Sequence, residues 1–171
     1  MPHPIINLDQ IELKPRPSHL NAPGAAAERF GALRGEVGSR IGAVKLGYNL
    51  VLVPPGKRSV PFHNHRVNEE LFFILEGHGE LRFGSEHHPL RAGDFIACPP
   101  GGPEVAHQII NTGTGDLKYL ALSTMLNPEI CEYPDSNKFL VAELPRDAAG
   151  KAQGFRHIGQ AGTSADYWEG E

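Results

Sequence analysis

Two histidines separated by one residue, in the stretch Pro61-Phe-His63-Asn-His65-Arg-Val-Asn-Glu69-Glu70-Leu-Phe-Phe-Ile-Leu-Glu-Gly77, are the residues best placed to do chemistry. Imidazoles at i and i+2 project from the same face of a strand. A carboxylate follows within a few residues, at the head of an apolar run that reads as a second strand. His107 lies in another segment, punctuated by glycine and proline. Three imidazoles and one carboxylate brought together make a nitrogen and oxygen site suited to a divalent transition metal. The chemistry on offer is that of a metal centre.

Such a site needs elements that carry the residues inward. From Gly42 the pattern is one of short strands: Ala43 to Val53, stopped by Pro54-Pro55-Gly56; Leu71 to Leu75, ended by Glu76-Gly77; and Gly79 to Phe83, ended by Gly84-Ser85. Phe95 to Cys98 follows, stopped by Pro99-Pro100-Gly101-Gly102, then Ala106 to Ile110 and Leu117 to Ser123. Short strands with turn residues at regular intervals read as an antiparallel sandwich or barrel. The barrel is expected over residues 41–126, after an N-terminal arm of residues 1–40 and before a C-terminal extension of residues 127–171. The arm has an alternating, strand-like piece, Ile6 to Leu13, and an Ala-rich piece, Ala25 to Phe30, that reads as one helical turn or a surface loop. The extension adds an apolar run, Lys138 to Leu144. Its tail carries Tyr167 and Trp168, an aromatic pair expected to dock on the barrel or on a second subunit.

Composition narrows the function. At 171 residues and 40% hydrophobic content the chain is one domain with enough apolar material for a core. A net charge of −4 and no basic patch argue against nucleic acid as a partner. No apolar stretch has the length of a membrane span. The start lacks a basic n-region and a long apolar h-region, and Cys98 and Cys131 make no disulfide framework, so a cytoplasmic protein is expected.

The segment Gly56 to Gly77 resembles the first motif of the cupins, in which a glycine, a short spacer, His-any-His, a glutamate and a closing glycine follow in order. Glu70 fits the closing spacing to Gly77 better than Glu69 does; the gap from Gly56 to His63 is one residue longer than the commonest form. Gly93-Asp-Phe-Ile-Ala-Cys-Pro99-Pro-Gly101, followed by His107-Gln-Ile-Ile-Asn111, resembles the second motif, with about three extra residues between Gly101 and His107. The resemblance covers about a third of the chain. It implies an all-β double-stranded β-helix, a jelly-roll barrel, with His63, His65, Glu70 and His107 as ligands of one divalent metal: Fe, Mn, Ni or Zn. An octahedral ion so held would keep two positions for water or a bidentate oxygen substrate.

Other residues have plainer readings. His78, His87 and His88 lie in or next to turns, and His3, His19 and His157 in loops or arms; all six are expected in solvent. Glu69 should face away from Glu70. Cys98 has the setting of an inert buried thiol. No matched motif names an acid or base; Glu104, in the extra loop, and Tyr48 and Tyr119, on strands, are the candidates, with solvation or core packing the default for each.

The expected function is a small metalloenzyme acting on an oxygen-rich small molecule, such as a sugar phosphate, keto acid or polyketide-like compound, by Lewis-acid isomerisation or oxygenation. The alternative is a non-catalytic metal- or ligand-binding module with a structural metal. A DNA-binding regulator is disfavoured, because no helix pair or basic segment accompanies the barrel. The arm and tail exceed what a minimal barrel needs, and sheet edges need cover, so a homodimer is expected.

Overall fold

The computed structural model describes residues 2–17, 21–143 and 154–171. Among these, the regular structure is strand, with five short 3-10 turns and no α-helix. Among the described residues no helix is long and apolar enough to cross a membrane. The strands are β1 (Lys14–Pro15), β2 (Leu33–Glu36), β3 (Leu46–Val53), β4 (Asn64–His65), β5 (Glu70–Glu76), β6 (His78–Phe83), β7 (Glu86–Arg91), β8 (Phe95–Cys98), β9 (His107–Ile110), β10 (Leu117–Thr124), β11 (Glu129–Tyr133), β12 (Lys138–Ala142) and β13 (Arg156–Gln160).

They form three antiparallel sheets, ordered β1-β2-β3-β10-β5-β8, β13-β12-β11-β4 and β7-β6-β9. Half of the strand pairings join consecutive strands and half are long-range: β3 and β10 pair along their full lengths, although 63 residues separate the end of one from the start of the other. Isolated bridges Arg58↔Ile110 and His63↔His107 tie the segment after β3 to β9. The architecture is an all-β double-stranded β-helix. Its interior is filled by alternate residues, among them Val51 and Val53, Phe72 and Ile74, and Leu117 and Tyr119, as the period-2 geometry of strands requires. Gly77 closes β5 with φ +89°, and a Cβ there would lie 2.4 Å from the Asp116 carbonyl oxygen; only glycine fits that turn.

The barrel strands read from sequence lie where expected, to within a few residues. Leu144 and His19 fall outside the described residues. The alternating piece Ile6 to Leu13 is not a strand. Asn7 caps a 3-10 turn, Leu8–Gln10, by accepting from Asp9 N, and Gln10 caps in return. Ile11 is nonetheless buried, and with Val37 and Leu50 it forms a second apolar cluster outside the barrel interior. The Ala-rich piece is a 3-10 turn, Gly24–Glu28. The tail does not dock on the barrel: Tyr167 and Trp168 are 83% and 73% exposed and pack edge-on against each other.

Candidate metal centre

Strand pairing collects four side chains that are distant in the chain. His63 and His107 are antiparallel partners, with His63 N donating to His107 O at 3.2 Å and His107 N to His63 O at 2.7 Å. His65, on β4, pairs with Cys131 of β11. Glu70, the first residue of β5, pairs with Cys98 of β8. The Nε2 atoms of His63, His65 and His107 lie 3.6, 3.4 and 3.0 Å from one oxygen, Glu70 Oε2. Asn64, between the two histidines, points the other way: its Nδ2 donates to Gly101 O and to Glu132 Oε2.

The outward ring nitrogens are held too. His63 Nδ1 is 2.9 Å from Pro61 O, and His107 Nδ1 is 3.3 Å from Val105 O. A carbonyl can only accept, so each Nδ1 donates there and each Nε2 is left facing Glu70, where it would ligate a metal once its own proton is lost. His65 differs. Its Nδ1 lies 3.3 Å from Glu129 Oε2, close enough for charge attraction but too poorly aligned for a hydrogen bond. Glu129 is itself held: its Oε1 accepts from Val67 N and Ile130 N, and its Oε2 from Asn68 N and the Asn68 side-chain amide. Nothing in the sequence pattern singles out Glu129; only the pairing of β11 with β4 puts it behind His65.

Electrostatics divides the three imidazoles. Burial lowers the His63 pKa, outweighing the pull of Glu70. Burial also acts on His65, but Glu129 and Glu70 flank it and push it up to about 9. Burial works against the Glu70 carboxylate as well; even so, the hydrogen bond from His107 and the His63 and His65 rings beside it hold it well below the usual carboxylate range. Glu129 also stays low despite its burial, through His65 and Asn68.

The donors fit a metal. Both ring nitrogens of His65 are buried without a hydrogen-bond partner, and three imidazole nitrogens crowd a single carboxylate oxygen. Buried polar groups without partners are costly, and a divalent cation is the partner this set lacks. Ligand atoms of His63, Glu70 and His107 lie within 4.8 Å of one another, and so do those of His63, His65 and Cys131. Burial pushes the Cys131 thiol up to about 12, so it is a neutral thiol beside the cluster.

A cavity of about 770 Å³ opens onto His63, Glu70 and His107. Tyr48 and Tyr119 line it; Glu104 does not. The Glu104 side chain is exposed, and its carboxylate accepts from Gly102 N at 2.8 Å. Tyr119 is buried, with its hydroxyl 2.9 Å from Ser59 Oγ, and burial pushes it up to about 12. Glu69 is exposed, as is each described histidine outside the cluster. His78, His87 and His88 lie on strands close to turns, His157 lies on a strand rather than in a loop or arm, and His87 pairs with Glu80 at 2.6 Å.

Residues 49–123 match the cupin domain family. Over 80 residues the chain is 36% identical to an uncharacterised protein of Methanocaldococcus jannaschii, covering 47% of this chain and 61% of that one. Over 74 residues it is 36% identical to the oxalate-binding protein of Thermotoga maritima, covering 43% of this chain and 58% of that one. These matches therefore span about three fifths of the length of each curated relative. Among solved structures, the sugar phosphate isomerase of a cupin superfamily from Silicibacter pomeroyi superposes with a TM-score of 0.73 at 26% identity, covering 92% of both chains. With the β-helix and its inward histidines, these likenesses make the chain a member of the cupin superfamily.

Proposed function

We propose that the chain is a metal-dependent cupin enzyme acting on an oxygen-rich small molecule, by Lewis-acid isomerisation or by oxygenation. One observation carries this reading: three imidazole Nε2 atoms gather around Glu70 Oε2 at the wall of a cavity of about 770 Å³. A volume of that size takes a small metabolite. His63, His65, Glu70 and His107 would hold one divalent ion. Bound there, it would supply Lewis-acid polarisation of a carbonyl or enediolate oxygen, or redox chemistry if it is iron. The chain itself does the rest. Backbone carbonyls of Pro61 and Val105 hold Nδ1 of His63 and His107 and so keep Nε2 of each aimed inward. The Tyr119 hydroxyl stays protonated at neutral pH and, paired with Ser59, offers a hydrogen bond to a substrate oxygen rather than a base. The likeness to a cupin sugar phosphate isomerase supports an enzyme.

The likeness to an oxalate-binding protein favours a second reading, a module that binds metal or ligand without turnover. One series of measurements separates the two. Tag-free protein is analysed for metal, then assayed for isomerisation of sugar phosphates and for oxygen uptake, beside His63→Ala. Turnover that disappears with the metal supports the enzyme. Metal whose removal lowers thermal stability, with no turnover before or after, supports the module.

A homodimer working in the cytoplasm completes the proposal. The exposed Tyr167–Trp168 pair supports pairing, and the free thiols of Cys98 and Cys131 fit a reducing compartment. Light scattering that returns a monomer mass at micromolar concentration removes the dimer.

A further inference from the structure

The cavity has a second polar wall, away from the histidines. Two cross-strand rows lead into it: Arg34–Val51–Tyr119 and Glu36–Asn49–Ala121, running from β2 through β3 to β10. All six residues line the cavity. Arg34 and Glu36 share one face of β2, while Gly35 between them lies buried against Ile11 on the other. A third charged side chain, Arg16, lines the same wall. It stands just past β1, whose Lys14 pairs with Arg34, so the two guanidinium-bearing residues come from adjacent strands. Arg16 Nε is buried without a hydrogen-bond partner. Both arginine charges act on the Tyr119 hydroxyl, which places them near the Ser59–Tyr119 pair.

Of the acidic groups facing this space, Glu36 accepts from Ser39 Oγ at 2.9 Å, and Glu70 is taken up by the histidines. Two guanidinium groups and two hydroxyls line this wall of the cavity, and the buried Arg16 Nε is left without a hydrogen-bond partner among the described residues. A guanidinium is a planar fork of donors that matches the oxygens of a carboxylate or phosphate. We infer that Arg16 and Arg34, with Ser59 and Tyr119, form an anion subsite that grips the carboxylate or phosphate group of the substrate while its other oxygens face the His63–Glu70–His107 wall. The part of this subsite in holding substrate rests on the proposed function; its capacity to bind an anion does not.

The test uses inorganic phosphate and acetate, in separate calorimetric titrations of the full chain in a non-coordinating buffer, with and without prior chelation. At least one anion is expected to bind, phosphate pointing to a phosphate ester and acetate to a carboxylic acid. Arg16→Met and Arg34→Met should each weaken that binding about tenfold or more, as loss of a charge-assisted contact does. Metal content and melting temperature should stay at the parent values. Arg34 is on the exposed side of β2, so its variant carries the test should Arg16→Met fail to fold. Binding of neither anion overturns the subsite, as does binding that survives both variants or vanishes on chelation alone. A chain that holds no metal but binds an anion through these arginines would sink the metalloenzyme reading and leave the subsite standing.

Discussion

The histidine cluster has two sides, and they are built differently. On one side His63 and His107 are cross-strand partners whose outer nitrogens meet the backbone carbonyls of Pro61 and Val105. On the other, His65 is backed by a carboxylate, Glu129, brought in on β11. A carbonyl sets the tautomer of a ring but adds no full charge; a carboxylate also draws in a proton. The same residue type therefore behaves in two ways within one cluster: His63 resists protonation, while His65 holds a proton up to about pH 9. Metal binding must expel that proton from His65, so affinity should rise with pH on this side of the cluster.

The largest effect belongs to the backbone-held side. His107→Ala takes away an imidazole whose Nε2 is 3.0 Å from Glu70 Oε2. Metal content by elemental analysis is expected to fall to traces, and full retention would show that the cluster is not the metal centre. Glu129→Gln should cost less, about 10- to 100-fold in metal affinity, as losses behind a ligand do. Competition with a chromophoric chelator measures it. A loss as deep as that of His107→Ala would erase the difference between the two sides.

Titration of the metal-free protein sharpens the same contrast. Because the folded pKa of His65 is raised from 6.5 to about 9, its contribution to stability is fully present below pH 6.5 and is lost as pH rises through 9. At roughly 1.4 kcal/mol per pH unit, the loss approaches about 3 kcal/mol. Denaturant midpoints across that range should fall, and Glu129→Gln should flatten the fall. Glu70 has the opposite sign: its contribution is present above pH 4.5 and is lost only as the pH falls well below that value.

The smallest change expected is from Tyr119→Phe, which removes one hydrogen bond to Ser59. About 1 kcal/mol of stability should be lost in a thermal melt, with metal content unchanged. A loss of metal would place Tyr119 in the cluster rather than across the cavity from it.

The barrel strands could be read because each is a short apolar run stopped by glycine or proline; Phe95 to Cys98 is found residue for residue. Strand β7 could not, since its run Glu-His-His-Pro-Leu-Arg buries only Leu90 and lacks an apolar face. For β11 the difficulty was different. Its run Glu-Ile-Cys-Glu-Tyr shows no clean alternation and looks like any short polar segment until β4 pairs with it. Glu129, Arg16 and Arg34 escaped notice for that reason, as did the place of Cys131 beside the histidines: each gains its meaning from a neighbour far away in the chain.

The spacing of His63 and His65, the run beginning at Glu70 and the turn glycines were determined by the sequence alone, because face and turn are local properties of a few φ/ψ angles. Which strand lies beside which is not local. Backbone hydrogen bonds are the same for any pair, so the choice falls to the packing of the whole barrel. Only that packing brought His107 against His63, set Glu129 behind His65, and turned two arginines toward the cavity.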